Sequence, residues 1–265
     1  MPGLRTSLVL CTLFVCSAAR ADGDDFKYAL GLQLQNQPES PGSDLRKTSV
    51  KPVWALRWGR LRLSTGGGNA LMGFGSEVYG AGASADLLTR DKLRIGISLR
   101  FDGGRNSGDA RATQGLPDVR RTLRGRLFAG YAITEDLQWS GSLSQDLLGH
   151  GGGLILATDI SKRLMRTQDS EWSVGTGLSA GDATQMRSYF GVRPEDMQAS
   201  GLPAYQPGAG LKDVWIGTSY TRVLHRNWVA QASAGVSRQV GAAADSPLVV
   251  RPTAANFAIS LAYRR

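Results

Sequence analysis

Apolar residues recur at every second position in several stretches of the chain. In the first stretch, Phe26, Tyr28, Leu30, Leu32 and Leu34 alternate with lysine, alanine, glycine and glutamine. The same period returns in LRIGISLRFD at residues 93–102 and in FAISLAY at residues 257–263. A period of two places successive side chains on opposite faces of a β-strand. These stretches therefore predict strands with one apolar face and one polar face.

The connections between the predicted strands alternate in length. Short connections lie at residues 58–60, 88–91, 133–135 and 224–226, and long ones, rich in Gly, Pro, Ser and Asp, at 37–49, 66–76, 103–120, 182–210 and 238–253. This alternation is typical of outer-membrane barrels, which have short periplasmic turns and long extracellular loops. Two connections depart from it, a short one at 148–151 and a longer one at 162–171. The predicted strands are 26–36, 50–58, 60–65, 77–87, 92–102, 121–132, 136–147, 152–161, 172–181, 211–223, 227–237 and 254–263.

The two faces of the strands indicate where each would lie. Trp54, Leu56 and Trp58 share one face, which suits lipid, whereas Arg94 and Arg100 lie on the polar face of their strand. Charged residues would be costly in a soluble core, but they suit the interior of a membrane barrel. We therefore predict an all-β fold, an antiparallel transmembrane (outer-membrane) β-barrel of about twelve strands.

The first 21 residues predict a cleavable signal peptide. Arg5 precedes a short apolar run, and Ala19-Arg20-Ala21 fits a small-x-small cleavage site. We expect residues 1–21 to be removed and residues 22–265 to form the barrel domain in the outer membrane of a Gram-negative bacterium. Both cysteines, Cys11 and Cys16, lie in the expected leader. The mature protein would then have no disulfide and no cysteine metal site.

Charge and motifs narrow the possible partners. The chain has 31 basic and 22 acidic residues, a formal net charge of +9. This balance fits either a solvated basic surface or attraction to anionic lipid headgroups such as those of lipopolysaccharide. The sequence carries no Rossmann, P-loop, metal-helix or nucleic-acid motif. We therefore predict no cofactor, no metal site and no nucleic-acid partner.

Several segments resemble a known family of barrels. They are YFGVRP (189–194), ASGLPAY (199–205), GAGLKDV (208–214) and ADSPLV (244–249), with PGSD (41–44) and GHGG (149–152). Together they resemble the MltA-interacting protein family, MipA or OmpV. The resemblance implies an outer-membrane scaffold that links a lytic transglycosylase to a penicillin-binding protein, and it implies no catalytic residues. Members of that family commonly end in an aromatic residue, whereas this chain ends in Arg265.

Two segments are candidates for partner or ligand contacts. Lys162, Arg163 and Arg166 lie in the longest predicted periplasmic turn, where they could contact a periplasmic enzyme or acidic murein. The long loop 182–210 could fold into the lumen as a plug, or it could contact a ligand or partner. The residues that would make such contacts are Tyr189, Arg193, Tyr205 and Lys212.

Three alternative functions remain open alongside the scaffold. A barrel of this size leaves a narrow lumen, so inward arginines would make it an anion-leaning channel. The protein could also be a surface adhesin or a ligand-binding barrel. An outer-membrane lipid hydrolase would need His150 with a serine such as Ser246 and an acid such as Asp245. No nucleophile motif surrounds any serine, so we predict that the protein is not an enzyme.

Overall fold

The chain forms a closed antiparallel β-barrel of twelve strands. The computed structural model describes residues 26–72 and 82–265. Each strand pairs with its sequence neighbours, and β1 pairs with β12 to close the barrel. The predicted fold class and strand number are confirmed. The strands are β1 (Phe26–Pro38), β2 (Arg46–Trp58), β3 (Leu61–Ser64), β4 (Gly82–Arg90), β5 (Leu93–Asp102), β6 (Thr122–Ala132), β7 (Leu137–Asp146), β8 (Leu154–Arg166), β9 (Ser170–Gly181), β10 (Gly210–His225), β11 (Trp228–Gln239) and β12 (Thr253–Arg264).

Short helices lie in the connections at the long-loop end and inside the barrel. They are α1 (Gly68–Leu71), α2 (Ala183–Phe190) and α3 (Met197–Ser200), with 3-10 turns at Ser107–Asp109, Arg111–Thr113, Pro194–Asp196 and Gly241–Ala243. Among the described residues, none of the helices has the length and apolar character needed to cross a bilayer.

The outer surface of the barrel is apolar. Leu32 pairs with Leu261, and Leu34 pairs with Ile259, so these side chains form a ladder on one face. Leu32 is 60 % exposed and Ile259 is 61 % exposed, which a water-soluble sheet would avoid over a continuous surface. A bilayer would cover this surface. Exposed tryptophans mark the short-turn end, at Trp58, Trp172 and Trp228, where an aromatic belt would meet the headgroups.

Two strands extend several residues past one of their predicted ends. β2 begins at Arg46 rather than residue 50, and β8 continues to Arg166 rather than ending at residue 161. The turn after β8 is therefore residues 167–169, and the longer connection predicted at residues 162–171 is wrong. A register shift between Arg163 and Met165 breaks the period of two, which explains why the pattern missed this end. The other departure, the short connection predicted at residues 148–151, joins β7 to β8 on the side of the long loops.

Two predictions fall partly or wholly outside the described residues. The expected signal peptide, with its cleavage site and both cysteines, lies within residues 1–25. The predicted fourth strand began at residue 77, but β4 is described from Gly82. Residues 77–81 therefore lie outside the described part of the chain.

The seam between β1 and β12 supports a prediction about Arg265. The backbone N–H of Tyr28 donates to the Arg265 carbonyl at 2.8 Å, and the Arg265 N–H donates to the Tyr28 carbonyl at 2.9 Å. Deleting Arg265 removes both bonds and is expected to destabilise the barrel by about 1–3 kcal/mol. The midpoint of urea unfolding in detergent, followed by tryptophan fluorescence, measures this change.

The variant Arg265→Phe is the matched control, because it keeps both backbone bonds. We expect the same heat-modifiable folded fraction on a gel as for the parent. A higher folded fraction for Arg265→Phe would mean that the arginine side chain hinders assembly.

Candidate functional site

The inward faces of the strands form a polar lumen wall with ion pairs along β3 to β6. Asp86 of β4 pairs with Arg62 of β3, and it accepts from Arg94 Nε of β5 at 2.7 Å. Nearer the long loops, Arg124 Nε of β6 donates to Asp102 Oδ2 of β5 at 2.6 Å. Each of these arginines faces an aspartate of another strand, so charge-assisted hydrogen bonds join the strands of the polar wall.

A chain segment enters the lumen near the short-turn end. Residues 65–72, here called the inner plug, turn into the barrel directly after β3 ends at Ser64. The Thr65 N–H donates to the Trp54 carbonyl at 2.9 Å, and Leu71 is fully buried. Leu71 packs on inward side chains from both sides of the seam, namely Ala29, Val53, Val229 and Ala262. The long connection predicted at residues 66–76 lies between β3 and β4, but its residues 66–72 lie inside the barrel and not in an outer loop, and residues 73–76 lie outside the described range.

The long loops pack together over the other end of the barrel. Residues 39–45, 103–121, 182–209 and 240–252 form this outer cap. One apolar cluster joins Leu116, Val192 and Leu248, and a second joins Met186, Phe190 and Ala243. Clusters that draw on three separate loops make the cap a packed unit and not a set of independent loops.

Hydrogen bonds between the loops reinforce the outer cap. The Ser246 hydroxyl donates to the Phe190 carbonyl at 2.6 Å, and the Tyr205 hydroxyl donates to the Ala242 carbonyl at 2.7 Å. The Arg251 N–H donates to the Gly42 carbonyl at 2.9 Å, which ties in the first loop. These bonds tie the loop 182–210, with its buried α2 side chains Met186 and Phe190, to the neighbouring loops.

A cavity of about 230 Å³ with both polar and apolar lining residues lies between the outer cap and the lumen wall. Its residues come from the cap and from the long-loop ends of β5, β6, β8, β10 and β11. Two ion pairs line it, Arg124 with Asp102 and Lys212 with Asp213, the latter at 3.2 Å. The lining residues are Pro41, Asp102, Arg124, Ile155, Gln185, Tyr189, Phe190, Lys212, Asp213 and Gln239.

The cap residue Tyr189 faces this cavity in its neutral form. Burial raises the pKa of the Tyr189 phenol, and the negative charge of Asp102 raises it further. The phenol therefore remains protonated through the neutral pH range, and its hydroxyl lies 3.5 Å from Asp102 Oδ2. It can donate one hydrogen bond and accept another.

The four candidate residues lie in three different places, and Lys212 belongs to β10 and not to the long loop. Tyr189 and Lys212 line the cavity. Arg193 lies at the surface, where its side chain pairs with Asp196 at 2.7 Å and with Glu195 at 3.1 Å. The Tyr205 ring packs within the apolar cap, so its role there is structural. The structure does not bring these four residues to one site.

The three basic candidates lie in β8 and not in a turn, so their predicted placement is wrong. Lys162 and Arg166 are exposed near the end of the strand. Arg163 pairs with Glu171 at 3.1 Å and with Asp136 at 3.5 Å, which gives it a role in joining neighbouring strands. Arg166 lies at the short-turn end of β8, and Lys162 lies on the lipid-facing side of the strand, from where its long side chain can extend toward the headgroups.

The residues considered for a lipid hydrolase have other contacts. His150 Nδ1 lies 2.6 Å from the Arg121 carbonyl, and the buried Ser246 hydroxyl is bonded to Phe190. Burial raises the pKa of the Tyr205 phenol, and the negative charge of Asp245 raises it further. The described residues therefore do not show the hydrogen-bonded serine and histidine that such chemistry needs. The part of the chain that the structure describes also holds no cluster of three metal-binding side chains.

Sequence reasoning missed most of the cavity residues. Asp102, Asp213 and Gln239 lie at the long-loop ends of their strands on the inward face. The period of two along each strand identifies the inward face. Inward polar residues next to long loops could therefore have been predicted to line a cavity. Gln185 lies in α2 with no comparable signal.

A family model described as MltA-interacting protein MipA matches residues 30–265. The chain belongs to the MipA family. No curated protein sequence matches the chain. The MipA resemblance seen in GHGG, ASGLPAY and ADSPLV maps to the outer cap and to the loop after β7. Those segments carry the glycines with positive φ and the buried contacts that build this end of the barrel.

Solved structures with a similar fold include the NanC porin, the CymD monoaromatic hydrocarbon channel, and the OmpT outer membrane protein of Vibrio cholerae lacking loop L8. Their identities to the MipA-family chain are 9 %, 11 % and 9 %, and the TM-scores are 0.44, 0.44 and 0.38. The matches cover 88 %, 91 % and 91 % of this chain and 98 %, 88 % and 98 % of the other chains. These values are too low to transfer a substrate or a role.

Proposed function

We propose that this MipA-family barrel is a non-enzymatic scaffold in the outer membrane, with its short turns in the periplasm. It would hold a murein-degrading lytic transglycosylase and a murein-synthesising penicillin-binding protein near the murein layer. The family description, which names an interacting protein, supports this role. The two obstructions in the lumen favour it over an open anion-leaning channel, since an ion path would have to pass both.

The observation that carries the proposal is the charge at the short-turn end. Exposed cations lie on or beside the short turns, and we call them the basic rim. Fewer acids lie among them, notably Asp91, Glu135, Asp136 and Asp169. An acidic face of an enzyme, or acidic murein, would complement this surface. The basic rim comprises Lys27, Arg60, Arg90, Lys92, Lys162, Arg166, Arg222, Arg226 and Arg265.

Replacing Lys162 and Arg166 by serine is expected to weaken capture of the periplasmic enzymes. Each lost surface ion pair contributes up to about 1 kcal/mol, so two losses weaken binding up to about thirtyfold. Arg163 is kept, because its ion pairs with Glu171 and Asp136 hold strands together. The measurement is a pull-down from envelope extract with the folded, detergent-extracted barrel, quantified by mass spectrometry.

The matched control removes two exposed cations from the opposite end, with Lys47→Ser and Arg120→Ser. Capture should be unchanged in that variant. Equal recovery of a lytic transglycosylase or penicillin-binding protein by the rim variant and the parent would contradict a role for these rim residues. Recovery of neither enzyme by the well-folded parent would contradict the scaffold.

A further inference from the structure

We propose that the cavity beneath the outer cap is a binding site for a small neutral polyhydroxylated molecule, about the size of a monosaccharide. The proposal is independent of the scaffold function, because the cavity lies at the opposite end of the barrel from the basic rim. It rests on unpaired buried acceptors, on balanced charge and on the mixed character of the cavity wall.

Two glutamines that line the cavity have side-chain acceptors without a hydrogen-bond donor. Gln185 is 3 % exposed and Gln239 is 6 % exposed, and both line the cavity. The Oε1 atom of each is buried and accepts no hydrogen bond from the described residues. A buried acceptor without a donor is destabilising, and rotation of either amide toward the cavity would let a ligand hydroxyl supply the missing donor.

The charges around the cavity are already balanced. Arg124 donates to Asp102 and also to the carbonyls of Gly153 and Gly152, at 3.1 and 2.6 Å. Lys212 pairs with Asp213, whose other oxygen accepts from the Ser179 hydroxyl at 2.8 Å. Two cations and two anions leave no net charge to attract an ion. A neutral ligand avoids the cost of a buried unpaired charge.

The cavity wall combines polar and apolar surfaces. Phe190, Ile155 and Pro41 supply apolar contact, and Tyr189 and Lys212 supply hydroxyl and ammonium groups. A sugar ring carries C–H groups that pack on aromatic and aliphatic surfaces. Its hydroxyls can each donate to a glutamine oxygen and accept from a tyrosine or lysine. This pairing of donors, acceptors and apolar faces fits a monosaccharide-sized polyol better than a purely apolar molecule.

Calorimetric titration of the folded barrel with glucose, galactose and N-acetylglucosamine tests the proposal. The detergent must lack a sugar headgroup, because a maltoside or glucoside would compete for the site. We expect at least one of these neutral sugars to bind, and glucuronate to bind more weakly because of its charge. Binding of none of the neutral sugars, or tighter binding of glucuronate, would overturn the proposal.

The variant Gln239→Leu separates a binding role from a structural one. It removes the unpaired acceptor at similar volume, so affinity for the neutral sugar should fall about tenfold while thermal stability is kept or raised. Gln231→Leu, an inward residue of β11 outside the cavity, is the matched control and should bind as the parent does. Parent-like affinity in Gln239→Leu would place the sugar elsewhere and overturn the assignment.

Discussion

A variant that lacks both obstructions is expected to conduct ions in planar bilayers, with resolved single-channel steps. The two changes are replacement of residues 183–209 by a four-residue Gly-Ser turn, and Leu71→Asp. Gly181 and Gly210 are paired neighbours, so a short turn can close that gap. An aspartate at position 71 places a charge in the apolar cluster, which destabilises the inner plug in its present position.

Each change alone should leave conductance near the parent level, because the two obstructions lie in series. Leu71→Met in the shortened-loop background is the control, since it keeps an apolar side chain of similar volume. Steady, large conductance in the parent barrel would contradict an obstructed lumen and would support the channel function instead. The single and double variants together show which obstruction limits ion flow.

Asp146→Ala is expected to give the largest loss of stability, about 3–5 kcal/mol. The Asp146 carboxylate accepts from the Thr122 hydroxyl and from the backbone N–H groups of Leu148, Gly149 and Gly152, the last three at 3.0, 3.1 and 2.8 Å. It therefore holds the short loop between β7 and β8 in place. Arg124 binds the same loop from β6, so it would also lose its ordered partners.

Unfolding by urea in detergent, followed by tryptophan fluorescence, measures this loss. Asp146→Asn should be milder, because it keeps the shape and one acceptor oxygen. Asp169→Ala, at an exposed turn, should change stability by less than about 0.5 kcal/mol. An Asp146→Ala barrel as stable as Asp169→Ala would show that the loop does not depend on this carboxylate.

The sequence pattern predicts the barrel wherever lipid touches the strands. The apolar positions of β1, β5 and β12 repeat every two residues because one face is in the bilayer and the other is not. The prediction fails where strands leave that environment. β2 extends to Arg46 with polar residues on both faces, and β8 continues past residue 161 through a bulge. Outside the lipid-facing part of a strand, apolar and polar residues no longer alternate, so the sequence does not predict where the strand ends.

Contents of the lumen are harder to predict than its wall. Gly66, Gly67 and Gly68 predict a turn, but nothing in their order shows that the chain enters the barrel after a strand of four residues. The burial of Leu71 depends on Val229 and Ala262, which are distant in sequence. For the cavity, the sequence analysis identified Tyr189 within the long loop and Lys212 just after it. It missed Gln185 and Gln239, whose importance comes from lacking partners in three dimensions.

The seam between β1 and β12 dictates the order in which the barrel can assemble. Its side-chain bond from Gln33 to Ser260 spans 227 positions of sequence. Hairpins such as β10 with β11 join strands that are adjacent in sequence, so they can form early, whereas the seam forms only when β12 meets β1. Contacts of such long range form slowly, because closing the chain costs entropy before the contact is made. Until then both β1 and β12 present open edges, so a chaperone or an assembly machine that shields them would protect the chain from aggregation.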